Sequence, residues 1–177
     1  VLEDAYTVDN QFDPVERRRY IETNGALFEV VVTSGLIGLS DAEMACLPNL
    51  KIIHTFASGY EMVDLAAAKR RGIMVAHMPG TPSPTVGEHA VGMMIALTRG
   101  FVENDRAARE VHWNECAREW PTFSGKRLGI LGYGNIGRET AKRAAGFDVE
   151  IGYHGRREQK ALPHRYFATP GELADWA

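Results

Sequence analysis

The fold of this chain is decided by one stretch, Leu128-Gly129-Ile130-Leu131-Gly132-Tyr133-Gly134-Asn135-Ile136-Gly137. It opens with an apolar run that favours a short buried strand, and residues 138–145 after it favour a helix. A GxGxxG spacing alone is weak evidence, because glycine-rich turns are common. The order of strand, glycine turn and helix is much more specific, since it gives each glycine a separate role.

Each of the three spaced glycines has a predicted task. Gly132 permits the tight turn out of the strand, Gly134 lets a pyrophosphate approach the backbone, and Gly137 lets the helix pack closely on the strand. The start of the helix adds unpaired N–H groups and the positive end of the helix dipole. The candidate dinucleotide-binding residues here are Gly132, Tyr133, Gly134, Asn135, Ile136 and Gly137. The alternative is an ordinary strand-to-helix turn that binds no ligand.

The composition is that of an ordinary globular protein. The 177 residues are 45% apolar and 24% charged, which suits one domain or two small ones, and the net charge of −3 gives no reason to expect a nucleic acid partner. Cys46 and Cys116 are too few for a disulfide framework, and residues 1–4 do not resemble a signal peptide. The most apolar stretch, residues 86–97, is too short to cross a bilayer. We therefore expect a cytoplasmic protein with no membrane partner.

The first half of the chain alternates helical and strand patterns. The predicted helices are 12–23, 42–47 and 65–71, and the predicted strands are 28–33, 51–56 and 73–76, the first of them buried. This alternation favours a parallel α/β sheet. The loop Ala57-Ser58-Gly59-Tyr60 follows the second strand, which is where open α/β sheets bind ligands. We interpret the basic cluster 17–19 as a solvated helix face, and 69–71 as charge that complements a helix dipole.

Three prolines in residues 77–84 exclude regular structure and mark a domain boundary. We therefore predict a first domain over 1–80 and a second over 81–177. The second begins with a helix over 85–99 that is apolar on nearly all faces, followed by an amphipathic helix over 101–115. A helix with that pattern is expected to lie between two domains or two subunits.

Taken together, these segments resemble the D-isomer-specific 2-hydroxyacid dehydrogenases. The matching pieces, in the family's order, are Ser58 to Asp64 with Arg71-Gly72-Ile73, Pro79-Gly80 with Val86 to His89, and Ser124 to Gly132. The resemblance implies two similar α/β domains of flavodoxin or Rossmann type, with the nicotinamide in a cleft between them. It also implies that backbone N–H groups of Ala57, Ser58 and Gly59 bind the substrate carboxylate, and that helix 85–99 forms a homodimer interface. One departure is His77, where the family usually has asparagine; we interpret it as a structural histidine that forms a hydrogen bond.

The strand after the glycine helix bears on the choice of cofactor. In NAD-preferring sites an acidic residue about 20 positions past the first glycine binds the ribose 2′-hydroxyl. That position falls at His154, and Gly155-Arg156-Arg157 follows. A carboxylate would repel a 2′-phosphate, whereas guanidinium groups bind it. We therefore predict NADP(H), contacted by His154, Arg156 and Arg157, over NAD(H); the alternative is that both arginines are solvated loop charges.

No residue of this chain matches the arginine, glutamate and histidine that the family uses in catalysis. The resemblance places all three beyond Ala177, so we expect both domains to be incomplete here, and we predict no metal site. The favoured function is NADPH-dependent reduction of a small 2-oxo acid, such as glyoxylate or hydroxypyruvate, to a D-2-hydroxy acid. The alternatives are a non-catalytic, dinucleotide-sensing co-repressor and a relative of formate or phosphite dehydrogenases.

Overall fold

The computed structural model describes residues 3–110 and 119–177. These residues form two compact units, and the boundary falls between Thr81 and Pro82. Part of the predicted helix 101–115 lies outside the described residues. Within them, no helix has the length and apolarity that a bilayer crossing requires.

The first unit is a three-stranded sheet with helices between its strands. Its elements are α1 (Pro14–Asn24), β1 (Val30–Thr33), α2 (Asp41–Ala45), β2 (Ile52–Thr55), α3 (Leu65–Arg70) and β3 (Met74–Ala76). The strands pair in the order β1-β2-β3, all parallel. Side chains cap the helices: Asp13 accepts from the N–H groups of Val15 and Glu16, and Ser40 forms a capping box with Glu43. The predicted parallel α/β class is confirmed.

The core of the first unit lies on one face of this sheet. Met44 from α2 and Ala67 from α3 pack there with Ile53 from the central strand. Because strand side chains alternate between faces, every second residue of β1 points away from these helices. Val30 and Val32 are 48% and 49% exposed. The prediction of a fully buried first strand is therefore wrong for these two residues.

The two basic clusters make specific ion pairs. Arg17 contacts the carboxylate of Glu43 at 2.5 Å, and both side chains are largely buried. Arg70 and Arg71 contact Asp41 at 3.1 and 2.8 Å. The interpretation of Arg17 as solvated is therefore wrong, and the second cluster joins α3 to α2 in addition to lying at a helix C-terminus.

The second unit is also a parallel α/β sheet. Its elements are α4 (Ser83–Thr98), α5 (Phe101–Arg109), β4 (Arg127–Leu131), α6 (Asn135–Ala144), β5 (Glu150–His154), β6 (Arg165–Phe167) and α7 (Pro170–Trp176). The strands pair in the order β4-β5-β6. On one side of the sheet, Ala141 of α6 packs with Ile130, Ile151 and Tyr153.

Helix α4 packs closely on α6 through a glycine. A Cβ at Gly87 would lie 2.9–3.0 Å from backbone atoms of Glu139 and Thr140, so only glycine permits this approach. Nearby, Glu88 pairs with Arg143 at 2.9 Å. Within the described chain only part of α4 is covered: Gly87 and Val91 are buried, whereas Met93 and Leu97 are 60% and 79% exposed.

Candidate nucleotide site and substrate loop

The glycine turn joins β4 to α6 at the carboxyl end of the strand. Gly132 has φ +95°, a left-handed conformation that an L side chain rarely adopts. A Cβ on Gly134 would meet no atom within 4 Å, so this stretch of backbone is open to an approaching group. A Cβ on Gly137 would lie 2.3 Å from the carbonyl oxygen of Gly132, so helix and turn touch there. The three glycines thus have the local surroundings that their predicted roles require.

The start of α6 presents unsatisfied backbone donors. Gly134 is the N-cap residue, and no side chain caps the helix. Within the described residues, the N–H groups of Asn135, Ile136 and Gly137 have no acceptor, and the first bonded amide is that of Arg138, which donates to Gly134 O at 3.0 Å. Three unpaired amides at the positive end of a helix dipole suit an anion.

A cleft of about 790 Å³ separates this turn from the segment that follows β5. Residues 131–134 line one wall, and residues 154–157 with Gln159 line the other. Asn135, Ile136 and Gly137 do not line it; they form the first turn of α6 beside it. The structure thus brings together six of the nine predicted cofactor residues around one cleft.

The second wall carries positive charge and no carboxylate. Arg156 and Arg157 are exposed and form no hydrogen bond or ion pair with any described residue. His154 Nδ1 lies 2.9 Å from the carbonyl oxygen of Phe167; since a carbonyl only accepts, Nδ1 carries the hydrogen and Nε2 remains available. The lining residues include neither aspartate nor glutamate. This wall is therefore suited to bind a phosphate.

Tyr133 lines the cleft through its position in the turn, but its side chain belongs to the core. The ring packs against Tyr153, with ring centroids 4.8 Å apart, and against His164, with centroids 5.6 Å apart. Burial raises the pKa of the Tyr133 hydroxyl and lowers the pKa of His164. Both groups are therefore neutral near pH 7, and we assign neither a ligand.

Gln159 is the residue of this cleft that the sequence pattern missed. Its Nε2 donates to the carbonyl oxygen of Tyr133 at 3.1 Å, and its Oε1 accepts from Arg138. Its backbone N–H donates to the hydroxyl of Tyr153 at 2.8 Å. Tyr133 and Gln159 are 26 positions apart, and no motif spacing signals such a contact.

The predicted substrate loop lies in the first unit, after β2. Ser58 Oγ donates to the carbonyl of Met78 at 3.0 Å, and the Met78 N–H donates to the carbonyl of Ala57 at 3.1 Å. His77 Nδ1 lies 2.9 Å from the carbonyl oxygen of Ser58, so the interpretation as a hydrogen-bonding structural histidine is confirmed. Within the described residues, the N–H groups of Ala57, Ser58 and Gly59 donate no hydrogen bond. A loop that hydrogen bonds hold in place, and whose backbone amides are unpaired, can bind a carboxylate.

Glu61 is a second residue that sequence reasoning passed over. Its Oε2 would lie 2.4 Å from a Cβ on Gly59 and 2.9 Å from a Cβ on Gly35, so the carboxylate rests against both glycines. The side chain is exposed, and solvent therefore screens its charge. Its negative charge nevertheless lies beside the unpaired amides.

Comparison with known proteins places the chain in a family. The sequence model described as the D-isomer specific 2-hydroxyacid dehydrogenase, NAD binding domain, matches residues 91–176. Glyoxylate/hydroxypyruvate reductase A of Arabidopsis thaliana is 32% identical over 174 residues, covering 98% of this chain and 56% of the relative. The chain belongs to the D-isomer specific 2-hydroxyacid dehydrogenase family.

Two further relatives support this membership. Glyoxylate reductase of Thermofilum pendens is 42% identical over 119 residues, covering 64% of this chain and 35% of the relative. The solved 2-hydroxyacid dehydrogenase of Ketogulonicigenium vulgare superimposes with a TM-score of 0.88 at 32% identity, over 99% of this chain and 56% of that one. The chain thus spans between a third and just over half of the length of these relatives.

Among the described residues we identify no member of the catalytic set that the family resemblance implies. None of their histidine, cysteine, aspartate and glutamate side chains gather into a group of three or more that could hold a metal ion. The histidines His77 and His154 each hydrogen-bond a backbone carbonyl, and His164 packs on a tyrosine ring. These partners are structural, so we assign none of these three histidines a catalytic role.

Proposed function

We propose that the whole protein reduces a small 2-oxo acid, of the glyoxylate or hydroxypyruvate type, to a D-2-hydroxy acid with NADPH. The observation that carries the cofactor choice is the wall of the cleft formed by residues 154–157. It presents Arg156 and Arg157 without partners among the described residues, and it lacks a carboxylate. The substrate class is supported by the names of the relatives, glyoxylate/hydroxypyruvate reductase and glyoxylate reductase.

The cleft fits an NADP(H) molecule at two points. The open backbone at Gly134 and the unpaired N–H groups of residues 135–137 would hold the pyrophosphate. Arg156, Arg157 and His154 would hold the 2′-phosphate through charge-assisted hydrogen bonds. When bound, the nicotinamide supplies the hydride. NAD(H) remains the weaker alternative, because its 2′-hydroxyl would find no carboxylate on this wall.

The substrate loop would hold the carboxylate of the 2-oxo acid. The unpaired amides of Ala57, Ser58 and Gly59 would donate to its two oxygens, and His77 and Met78 fix the backbone that carries them. The small side chains at these positions do not cover the amides, and the exposed Glu61 carboxylate beside Gly59 would have to turn away when a substrate carboxylate binds. The reaction also needs a proton donor for the new hydroxyl, and we propose no described residue for that role.

The cofactor proposal is tested by comparing kcat/KM for NADPH and NADH with glyoxylate and hydroxypyruvate, using the full-length protein. Replacing both Arg156 and Arg157 with alanine should raise the KM for NADPH roughly tenfold to a hundredfold, the effect of losing hydrogen bonds to a charged group. The matched control is Arg18→Ala with Arg19→Ala, a neighbouring and exposed arginine pair in α1. A wild-type preference for NADH would overturn the proposal. Tight binding without turnover of any 2-oxo acid would favour the co-repressor alternative.

We also propose that the protein is a cytoplasmic homodimer that pairs through the helix over 85–99. The support is the apolar surface that this chain leaves exposed on α4 and α5, at Met93, Leu97, Phe101 and Val102. An exposed apolar patch of this kind is typical of a subunit interface.

A further inference from the structure

Gln159 anchors the C-terminal end of the segment that carries Arg156 and Arg157. This segment leaves β5 at His154, and Gly155 is held there because its carbonyl accepts from the Tyr166 hydroxyl at 3.3 Å. Arg156, Arg157 and Glu158 then make no hydrogen bond or ion pair with described residues. The next fixed point is Gln159, through its backbone and its side chain.

The carboxamide of Gln159 fits both of its partners at once. The carbonyl oxygen of Tyr133 requires a donor, and the guanidinium of Arg138 requires an acceptor. A carboxamide has one of each, so the two contacts agree on a single orientation of the side chain. One partner belongs to the glycine turn and the other to the first turn of α6, and the glycine turn lines the same cleft as Arg156 and Arg157.

We propose that Gln159 is a positioning residue that sets the preference for a 2′-phosphorylated dinucleotide. The Gly132 N–H already joins the glycine turn to the carbonyl of His154 at 2.9 Å, and the Gln159 side chain adds a second tie at the far end of the arginine segment. The two ties together fix the separation between the 2′-phosphate contacts and the pyrophosphate contacts. Without the side-chain tie only the backbone N–H of residue 159, bonded to Tyr153, would hold this end of the segment, and the two guanidinium groups would lose order before binding. This inference rests on the NADP(H) site of the proposed function.

The test uses two substitutions in the full-length protein. Gln159→Leu removes both side-chain hydrogen bonds at similar volume. Gln159→Glu keeps the acceptor for Arg138 but turns an oxygen toward the Tyr133 carbonyl. Because its carboxylate would also repel a 2′-phosphate directly, the uncharged Gln159→Leu variant decides whether position alone sets the preference. Dissociation constants for NADPH and NADH, from the quenching of protein fluorescence, give the preference as a ratio. The control is Gln11→Leu, the same substitution at another glutamine, in the first unit.

Both Gln159 variants should lower the NADPH-to-NADH preference by about fivefold to tenfold, the loss expected for one or two side-chain hydrogen bonds, and leave NADH binding within about twofold. A merely structural role would weaken both cofactors equally, and that outcome overturns the inference. The inference is also overturned if the wild type prefers NADPH and the Gln159 variants keep the same NADPH-to-NADH ratio. Failure of the proposed function is distinct, since the unsubstituted protein would then already prefer NADH.

Discussion

At the scale of single residues, the candidate nucleotide site depends on what surrounds each glycine. Gly134 and Gly137 lie three positions apart in one motif, yet their environments are opposite. The space beside Gly134 is empty within 4 Å, whereas the space beside Gly137 already holds the backbone of Gly132. One glycine thus preserves access for a ligand, and the other allows a close contact inside the protein.

The same substitution at these two glycines should therefore have different consequences. Gly134→Ala should leave stability unchanged, because its φ of −88° and ψ of −154° suit alanine, but should weaken dinucleotide binding about tenfold or more. Gly137→Ala should destabilise the fold by about 1–3 kcal/mol, because its Cβ would overlap a backbone oxygen. Thermal unfolding and NADPH titration measure the two effects. Equal loss of stability in both variants would contradict this distinction.

A second residue-scale prediction concerns charge at the end of β5. His154→Asp should shift the cofactor preference toward NADH by roughly tenfold or more, because a carboxylate accepts from a 2′-hydroxyl and repels a 2′-phosphate. His154→Asn is the matched control, since it has similar size and no charge. Both variants lose the hydrogen bond between the histidine and Phe167. The difference between their NADPH-to-NADH ratios therefore measures the effect of the carboxylate charge alone. Identical NADPH-to-NADH ratios for the two variants would show that the wall does not contact the 2′ position.

At the scale of elements, β5 connects the core of the second unit with the candidate site. Its residues Ile151 and Tyr153 are buried toward α6, and its last residue, His154, reaches the cleft. Helix α7 covers the other face, where Trp176 packs directly over Gly152. The position of the second cleft wall therefore depends on how closely α7 packs against this strand.

Gly152→Ala tests this packing. A Cβ there would lie 2.5 Å from the Trp176 ring and 2.7 Å from that of Phe167, so we expect a loss of about 1–3 kcal/mol in unfolding free energy. Gly146→Ala is the control, because nothing lies within 4 Å of its Cβ position in the 3-10 turn Ala145–Phe147. That variant should be neutral or stabilised by about 0.4–1 kcal/mol through reduced chain entropy. A stability loss at Gly146 that equals the loss at Gly152 would contradict the packing argument.

At the scale of the whole molecule, the apolar surface of α4 and α5 bears on assembly. Leu97 of α4 is 79% exposed in the single chain, and Phe101 and Val102 of α5 are 55% and 67% exposed. Leu97→Glu should raise the dimer dissociation constant by about two orders of magnitude, because an unpaired charge would be buried at the interface. Sedimentation equilibrium of the full-length protein measures this. Leu27→Glu, at a 74% exposed leucine in the first unit, should leave the assembly unchanged. A dimer equally stable in both variants would place the interface elsewhere.

The sequence by itself determined the parallel α/β class, the glycine turn and the order of the elements as far as β5, whereas β6 and α7 were not predicted. These features depend on local signals: apolar runs, capping residues such as Asp13 and Ser40, and the spacing of glycines. Such signals act between residues a few positions apart, so a pattern along the chain is sufficient to predict them. The likeness to the dehydrogenase family has the same origin, since its motifs are short and ordered.

Only the tertiary structure decided which distant segments meet. It placed Gln159 against Tyr133, paired Arg17 with Glu43, turned the Tyr133 ring into the core and left Val30 exposed. The physical reason is that these contacts depend on strand register and helix docking. A shift of one residue in a strand moves every side chain to the opposite face, and no local pattern records which partner lies across a cleft.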